Sequence, residues 1–326
     1  MEIKDKLITG KANLEVFSET LSAMASLNRD LLVVTSDSRG SGKLVPFARN
    51  HPDQIVEVGI AEQNLVGVSA GLASAGKVVF ATSPGCFLAT RALEQIKNDI
   101  AYSDYPVNLV GISAGVSYGA LGSTHHSLHD IAALRAIHNI TIVVPADNFE
   151  TERAIKAAAV SNKPFFLRFG KKPMPHLHQP DDEFEIGKAS LICDGTDVAF
   201  IACGETVAPA FGAAQMLHDK GISARVISMH TVRPLDNEAV IRAARECRAV
   251  VTVEEHSMSG GLGEACAAVL MEEGVVIPFR RIGFPDEDTV TGSQTDIFRH
   301  YGITGEGLAG VATGLLREAG SERRES

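Results

Sequence analysis

The sequence lacks the features that mark secreted, zinc-ribbon or membrane-spanning proteins. Its five cysteines are scattered and none forms a C-x-x-C pair, so neither a disulfide framework nor a zinc ribbon is expected. No run of about 20 uninterrupted apolar residues occurs, which argues against a membrane-spanning helix. The opening stretch "MEIKDKLITGKANLEVFSE" carries charges where a signal peptide needs an apolar core. These absences predict a cytoplasmic protein with reduced thiols.

An excess of positive charge is also absent. The chain has 30 Lys and Arg against 40 Asp and Glu, a formal net charge of −10, and no long basic run. Neither nucleic acid nor an anionic membrane is therefore an expected partner. The 45% hydrophobic and 21% charged residues suit a globular protein, and 326 residues allow two domains of ordinary size.

Short apolar, β-branched runs alternate with longer segments of helical period, which predicts parallel sheets with helices on both faces. The alternation stops in the proline- and charge-rich stretch "PMPHLHQPDDEFEIG" and then resumes. We therefore predict two parallel-sheet α/β domains, over residues 1–172 and 188–326, joined by a linker over 173–187. His176 and His178 in that linker are expected to be exposed and without function.

The stretch "EVGIAEQNLVGVSAGLASAG" (57–76) places Glu62 at the start of a helix of small and apolar residues. A carboxylate in the first turn is stabilised by the helix dipole by about 0.3–1 kcal/mol, and this is its common role. The glycines and alanines that follow let other backbone approach closely. Partial burial of Glu62 is therefore the second possibility, and it suits a hydrogen-bonding or proton-sharing acid. From the residues alone, the ordinary helix-start role leads.

Histidines gather in "SYGALGSTHHSLHDIAALRAI" (117–137), where His125, His126, His129 and Asp130 lie between a glycine-rich loop and a helix. Their spacings of four residues suit a metal ion, but no H-E-x-x-H motif or cysteine partner accompanies them. Histidines on such a loop serve equally well to hydrogen-bond substrate hydroxyls or to transfer protons.

Two weaker signals come from other strand ends. The polar loop in "VTSDSRGSGK" (34–43) lies where ligands of parallel sheets bind, although it lacks the phosphate-loop spacing. Arg168 ends the apolar strand "FFLRFG". Its guanidinium suits either a structural ion pair or an anion clamp at the edge of a pocket.

In this order, the stretches resemble the C-terminal half of transketolase and, more closely, the stand-alone second subunit of split transketolases. The resemblance covers nearly the whole chain and rests on "VTSDSRG", "EVGIAEQN", "FLATRALEQIKNDIAY", "YGALGSTHHSLHDIAALRAI", "VVPADNFET", "FFLRFG", "TVRPLD" and "VTVEEHSMSGGLGEA". It implies a thiamine-diphosphate pyrimidine-binding domain, followed by a transketolase C-terminal-like domain used for dimer contacts and packing. Deoxyxylulose-phosphate synthase and the beta subunits of 2-oxo acid dehydrogenases share this skeleton.

The resemblance implies three cofactor-binding residues. Glu62 matches the catalytic glutamate that hydrogen-bonds the N1′ nitrogen of the aminopyrimidine and shares a proton with it, while the cofactor supplies the carbanion chemistry. Phe87 matches the aromatic residue that stacks on the pyrimidine. Asp37 matches an aspartate near the cofactor and the subunit contact. The family resemblance thus favours the functional role for Glu62.

Substrate-binding residues are implied in the same way. His125 matches the catalytic histidine that contacts the carbonyl and hydroxyls of the donor sugar, and this displaces the metal interpretation of the cluster. His126 stands beside it at a position where the family often has glutamine or histidine. Ser41 and Arg168 match positions that hold the sugar phosphate.

Three departures put the substrate in doubt. Leu121 stands where transketolases usually carry an acid that contacts a substrate hydroxyl. Ser113 stands in place of a phosphate-binding histidine, and Gly10 in place of a phosphate-binding arginine. The far end of the sugar is therefore open among phosphate, sulfonate and branched-chain forms.

A G-D-G motif, which in the family begins the diphosphate and magnesium site, is absent from the 326 residues. The resemblance therefore implies a separate N-terminal subunit that holds the diphosphate and Mg²⁺ in an α2β2 assembly, with no metal ligand in this chain. The leading prediction is a subunit of a two-component transketolase that transfers a two-carbon ketol unit from a ketose to an aldose. The alternatives are a subunit of another thiamine-diphosphate enzyme and a non-catalytic scaffold.

Overall fold

A computed structural model describes residues 7–325, with side chains up to Glu318; positions 1–6 and 326 of the predicted domains lie outside the described residues. The strands are β1 (Thr9–Ala12), β2 (Leu31–Thr35), β3 (Ile55–Glu57), β4 (Val78–Pro84), β5 (Val107–Ile112), β6 (Thr141–Val143), β7 (Phe165–Arg168), β8 (Pro173–Pro175), β9 (Ser190–Cys193), β10 (Val198–Ala202), β11 (Ala224–Ser228), β12 (Thr231–Arg233), β13 (Ala249–Ser257) and β14 (Phe279–Phe284). The helices are α1 (Asn13–Leu27), α2 (Val45–Asn50), α3 (Glu62–Ser74), α4 (Gly85–Arg91), α5 (Leu93–Gln95), α6 (Asp130–Arg135), α7 (Asn148–Val160), α8 (Val207–His218), α9 (Asn237–Glu246), α10 (Leu262–Glu272), α11 (Gln294–His300) and α12 (Gly305–Glu325).

Two mostly parallel sheets organise these elements. The first has the strand order β12-β6-β7-β5-β4-β2-β3, and only β12 is antiparallel to its neighbour. The second has the order β14-β13-β10-β11-β9, and only β9 is antiparallel. The predicted fold class of two parallel-sheet α/β domains is confirmed.

The central strands of the first sheet are buried on both faces because helices cover each side. Along β4, Val79 and Ala81 belong to one apolar cluster with Leu65 of α3, whereas Phe80 between them belongs to another with Phe17 of α1. Successive side chains of a strand point to opposite faces, so this division follows directly from the sequence "VVFA". Because helices cover both faces of the sheet, a ligand can reach it only at the ends of the strands.

The predicted linker is not a free connection. Its first residues form β8, which pairs antiparallel with β1. His178 is buried, its Nδ1 lies 3.1 Å from Oδ2 of Asp147, and its ring stacks on Phe149 with centroids 5.1 Å apart. Burial alone would lower the pKa of His178, but the carboxylates of Asp147 and Glu150 raise it above its ordinary value. The expectation that both linker histidines are exposed is therefore wrong for His178, although His176 is exposed.

The second domain also lends a strand to the first. β12 follows β11 of the second sheet, yet it pairs with β6 at the edge of the first sheet, where Thr231 faces Val143. No sequence pattern indicated this exchange, because β12 is only three residues long. The chain of the second domain is therefore tied to the first sheet by the backbone hydrogen bonds of β12 as well as by the connecting segment.

The helix that follows β4 is interrupted. One helix is predicted near 88–102, but α4 ends at Arg91, Ala92 separates it from the short α5, and a π-helical turn covers Ile96–Tyr102. Such turns often occur near functional sites. Among residues 7–325, no helix is both long and apolar enough to cross a membrane.

Candidate active site

Three of the predicted site residues follow the carboxyl ends of neighbouring strands. Glu62 opens α3 after β3, Phe87 lies in α4 after β4, and His125 lies in the loop between β5 and α6. β5 and β4 are adjacent, and β2 alone separates β4 from β3. Ligands of open parallel sheets bind at this edge, so the topology brings these side chains to one side of the domain.

Glu62 is buried, with 4% of its surface exposed. Its two carboxylate oxygens each accept a hydrogen bond of 3.2 Å from Nη1 of Arg91. Ser83 Oγ, at the end of β4, lies 3.5 Å from Oε1 and itself accepts a 2.8 Å hydrogen bond from Ser36 Oγ. The carboxylate thus lies in a buried polar network, which agrees with the second of the two possibilities for this residue.

Phe87 lies between Glu62 and the histidine loop. The guanidinium carbon of Arg91 lies 4.1 Å from the centroid of its ring, a cation–π distance. The ring of His125 also meets Phe87 edge-on, with centroids 5.3 Å apart and planes at 72°. The structure therefore brings Glu62, Phe87 and His125 into one row, with Arg91 joining the first two.

The row continues beyond His125. Tyr118 contacts the His125 ring edge-on at 5.5 Å, and Lys171 Nζ lies 4.7 Å from the centroid of the Tyr118 ring. Sequence reasoning missed Tyr118, Lys171 and Arg91. The one signal available was the four-residue spacing of Phe87 and Arg91, which places both on the same face of a helix.

Other predicted residues lie close by but outside the row. Asp37 is exposed at a backbone φ of 51°, and its N–H donates a 2.7 Å hydrogen bond to Glu57 Oε1. Ser41 is half-buried and donates to the Ser38 carbonyl at 3.2 Å. Among the described residues, no hydrogen bond, ion pair or ring contact joins Asp37 or Ser41 to Phe87 or His125.

His126 is directed into the loop that carries it. It is 3% exposed, and its Nε2 lies 3.0 Å from the Gly119 carbonyl. Burial lowers the pKa of His126, so the imidazole is neutral near pH 7. This placement fits a residue that fixes the loop beside His125, and the substrate contact of His126 stays a prediction.

Arg168 forms a buried ion pair with Asp130. Its Nε donates to Asp130 Oδ2 at 2.8 Å, and its Nη2 donates to the carbonyls of Ser127 and Glu255 at 2.9 and 2.8 Å. The side chains of Arg168 and Asp130 are 4% and 0% exposed. Burial alone would raise the pKa of Asp130, but the charge of Arg168 holds it below its ordinary value. The ion pair is the role that these contacts support, and phosphate binding by Arg168 stays a prediction.

The three departures have different structural settings. Leu121 is an exposed side chain in a short helical turn near His125. Ser113 is buried at a φ of 53°. A Cβ at Gly10 would lie 2.4 Å from the Asn148 amide oxygen, so this position has no room for a side chain unless its neighbours shift.

Among the described residues, no group of three or more His, Cys, Asp or Glu side chains could hold a metal ion. The metal interpretation of the histidine cluster is therefore not supported. Its members separate in the structure: His125 faces the row, His126 binds the loop, and Asp130 pairs with Arg168.

The "VEEH" segment of the second domain lies at its contact with the first. Glu255 of β13 accepts hydrogen bonds from the Val116 N–H at 2.9 Å and from Gln294 Nε2 at 2.7 Å. The same nitrogen of Gln294 also donates a hydrogen bond of 2.7 Å to Glu205 Oε2. Gly115 is required here, because its φ is 61° and a Cβ would lie 2.1 Å from the Glu255 carboxyl carbon. The carboxyl groups of the buried Glu255 and the half-buried Glu205 thus share the amide of Gln294, beside the contact of Glu255 with the first domain.

This pair makes stability depend on pH. Burial, with help from the charge of Glu255, raises the pKa of Glu205 from its ordinary value of 4.5 to about 8. Between these two pH values Glu205 holds a proton in the folded protein that it has lost in the unfolded chain. Its contribution to stability is therefore complete below pH 4.5 and is lost as the pH rises through about 8. Glu205→Gln is expected to flatten that fall in urea unfolding between pH 5 and 8.5. The exposed Glu19→Gln is the control; parallel curves for wild type and Glu205→Gln would contradict the assignment.

Comparison with known proteins shows the family of the chain. Residues 10–175 match the family model "Transketolase, pyrimidine binding domain" and residues 187–308 match "Transketolase, C-terminal domain". A subunit of apulose-4-phosphate transketolase from Phocaeicola vulgatus is 47% identical over 303 residues, 93% of this chain and 96% of that protein. A subunit of 6-deoxy-6-sulfo-D-fructose transketolase from a Clostridium species is 33% identical over 91% of this chain and 92% of its own length.

A solved structure described as "Split gene transketolase, inactive beta4 tetramer" superposes with a TM-score of 0.87 at 35% identity, covering 94% of this chain and 99% of that one. By contrast, a "1-deoxy-D-xylulose-5-phosphate synthase" of Thermomicrobium roseum is 36% identical, but the match spans only 49% of that protein. The chain therefore belongs to the transketolase family, as the type of subunit from a split transketolase that carries the pyrimidine-binding and C-terminal domains.

Proposed function

We propose that this subunit holds the aminopyrimidine end of thiamine diphosphate and the donor sugar in a two-component transketolase. The reaction transfers a two-carbon ketol unit from a ketose to an aldose. The single observation that carries the proposal is the row of Glu62, Phe87 and His125 at the carboxyl edge of the sheet. A buried acid, an aromatic face and a histidine stand there in the order that cofactor and substrate require.

The residues fit the pyrimidine end of the cofactor. One planar, N–H-bearing group, the guanidinium of Arg91, already bonds the Glu62 carboxylate and lies over the Phe87 ring. Carboxylate and ring are thus spaced to engage a flat polar group from one side. When bound, thiamine diphosphate supplies the carbanion chemistry, while this chain orients it and shares a proton from Glu62.

His125 is placed to handle the donor sugar. Its Nδ1 lies 2.9 Å from Thr124 Oγ1, and its ring is half-buried between Phe87 and Tyr118. The hydroxyl contact orients the ring and leaves Nε2 for a substrate oxygen. The imidazole in this place either donates to the sugar carbonyl or accepts from a hydroxyl, depending on its tautomer.

A separate subunit is proposed to hold the diphosphate and Mg²⁺ in an α2β2 assembly. Relatives that are named as subunits of larger enzymes support this. Ile60, two residues before Glu62, and Leu121, four residues before His125, are 74% and 54% exposed, and a partner that covers the site would bury them.

The proposed substrate is a ketose with an anionic far end. The names of two relatives specify a phosphorylated and a sulfonated sugar. In this chain, Lys171 places a positive charge beyond Tyr118 at the end of the row, whereas the guanidinium of Arg168 is committed to Asp130. Lys171 is therefore the exposed cation at the Tyr118 end of the row, where it can meet a phosphate or sulfonate.

The other hypotheses predict different reactions and different site residues. A synthase of the deoxyxylulose type or a 2-oxo acid dehydrogenase subunit would consume a 2-oxo acid and release CO₂, which a donor assay separates from ketol transfer. A scaffold would not need the buried acid beside the aromatic ring. The proposal includes a cytoplasmic location, which the five unpaired, buried cysteines support.

Cofactor binding tests the proposal. Calorimetry with thiamine diphosphate and Mg²⁺ is expected to show tight binding for the mixture of this chain with its diphosphate-binding partner, and little for either alone. The mixture is then assayed with ketose donors that carry phosphate, sulfonate or neither. Tight binding by this chain alone would mean that the diphosphate site is wrongly assigned to the partner. No binding in any combination would support the scaffold.

A further inference from the structure

We propose that Arg91 occupies the seat of the aminopyrimidine in the isolated chain and must leave it before the cofactor binds. The inference rests on the function proposed above and adds a residue to that site. It makes Arg91 a placeholder, a side chain that stands in for the cofactor until the enzyme is assembled.

The contacts of Arg91 are those that the aminopyrimidine needs. Nη1 lies 3.2 Å from each carboxylate oxygen of Glu62, and the guanidinium carbon lies 4.1 Å from the centroid of the Phe87 ring. The guanidinium is flat and delocalised, and it both stacks on aromatic faces and pairs with carboxylates. A heteroaromatic ring that stacks on Phe87 and hydrogen-bonds Glu62 fills the same space, so the two groups exclude each other.

Arg91 is also free to leave. It is the last residue of α4, its side chain is 48% exposed, and Ala92 after it lies outside the helix. Among the described residues, Glu62 and Phe87 are the side chains that it contacts by hydrogen bond, ion pair or cation–π interaction. Rotation of a long, half-exposed side chain therefore opens the seat without disturbing the core.

The placeholder has a physical purpose. Glu62 is 4% exposed, and a buried carboxylate without a partner is costly. Arg91 compensates that charge while the seat lacks the cofactor. The cofactor must compete with this internal pair, so the affinity of the isolated chain is reduced by the fraction of molecules in which the seat is open.

The affinity of Arg91 variants for an aminopyrimidine tests this inference. Isolated wild type, Arg91→Ala, Arg91→Lys and the control Arg49→Ala are titrated with 4-amino-2,5-dimethylpyrimidine by ligand-observed NMR. Arg91→Ala is expected to bind about tenfold more tightly than wild type, because the competing ion pair and cation–π contact are gone. Arg91→Lys keeps the charge but not the flat surface and should fall between them. Arg49, an exposed arginine in the last turn of α2, should behave as wild type when replaced.

Weaker or unchanged binding by Arg91→Ala, with a melting temperature near that of wild type, would overturn the placeholder. A structure of the assembled enzyme with thiamine diphosphate in which Arg91 keeps both contacts would overturn it as well, and this test does not depend on the folding of any variant. Failure of the proposed function looks different. In that case, Glu62→Ala in the Arg91→Ala background would bind the aminopyrimidine as well as Arg91→Ala alone.

Discussion

Replacing Glu62 by alanine is expected to lower kcat of the assembled enzyme by about 10²- to 10⁴-fold, the usual range for the loss of a group that shares a proton in catalysis. Glu62 is the buried acid at the start of α3, and the flat guanidinium of Arg91 hydrogen-bonds its carboxylate. Without that carboxylate, a bound aminopyrimidine loses its proton-sharing partner. Steady-state assays with saturating cofactor measure the effect.

Glu62→Gln separates hydrogen bonding from proton sharing. The amide retains a hydrogen-bonding side chain of the same size, so cofactor binding should be weakened less than turnover. Glu152→Ala is a matched control, because Glu152 is a half-exposed partner of Lys156 on α7. Its kcat should equal that of wild type. Undiminished turnover in Glu62→Ala would exclude the catalytic role and leave the carboxylate as a partner for Arg91 alone.

Arg168→Ala is expected to destabilise the chain by about 3–5 kcal/mol, since it leaves the fully buried carboxylate of Asp130 without its partner. The same substitution removes the hydrogen bond to the Glu255 carbonyl of the second domain. Urea unfolding of the isolated chain measures the loss. An anion clamp at the edge of a pocket would instead change substrate affinity and leave stability nearly intact.

A double-mutant cycle sharpens this prediction. Arg168→Ala with Asp130→Ala should cost clearly less than the sum of the two single changes, because the pair acts as a unit. Lys163→Ala is the control: its ion pair with Asp104 is about half exposed and should contribute about 1 kcal/mol or less. Equal losses for Arg168→Ala and Lys163→Ala would contradict the structural role.

The sequence predicted those parts of the site that depend on local patterns. The start of α3 at Glu62 followed from a polar residue ahead of a run of small and apolar ones. His125 was expected on a glycine-rich loop after a strand, and it lies there; α6 begins only at Asp130. In such cases, the residues that decide the structure are neighbours in the chain.

Contacts between distant residues escaped prediction. Arg168 donates a hydrogen bond to the carbonyl of Glu255, 87 residues away. The buried His178 lies against Asp147, 31 residues away. Whether a histidine or arginine faces solvent or an acid is decided by which segments the fold brings together. No spacing within "FFLRFG" or "PHLHQP" carries that information.

Strand β12, which the second domain contributes to the sheet of the first, has a consequence for recombination between genes. With β12 removed, β6 becomes an edge strand whose backbone groups lack partners, and such edges promote association with other chains. Recombination between β7 and β12 would separate two halves that need each other to complete one sheet. The pyrimidine-binding and C-terminal domains should therefore pass between genes together, as a single heritable module.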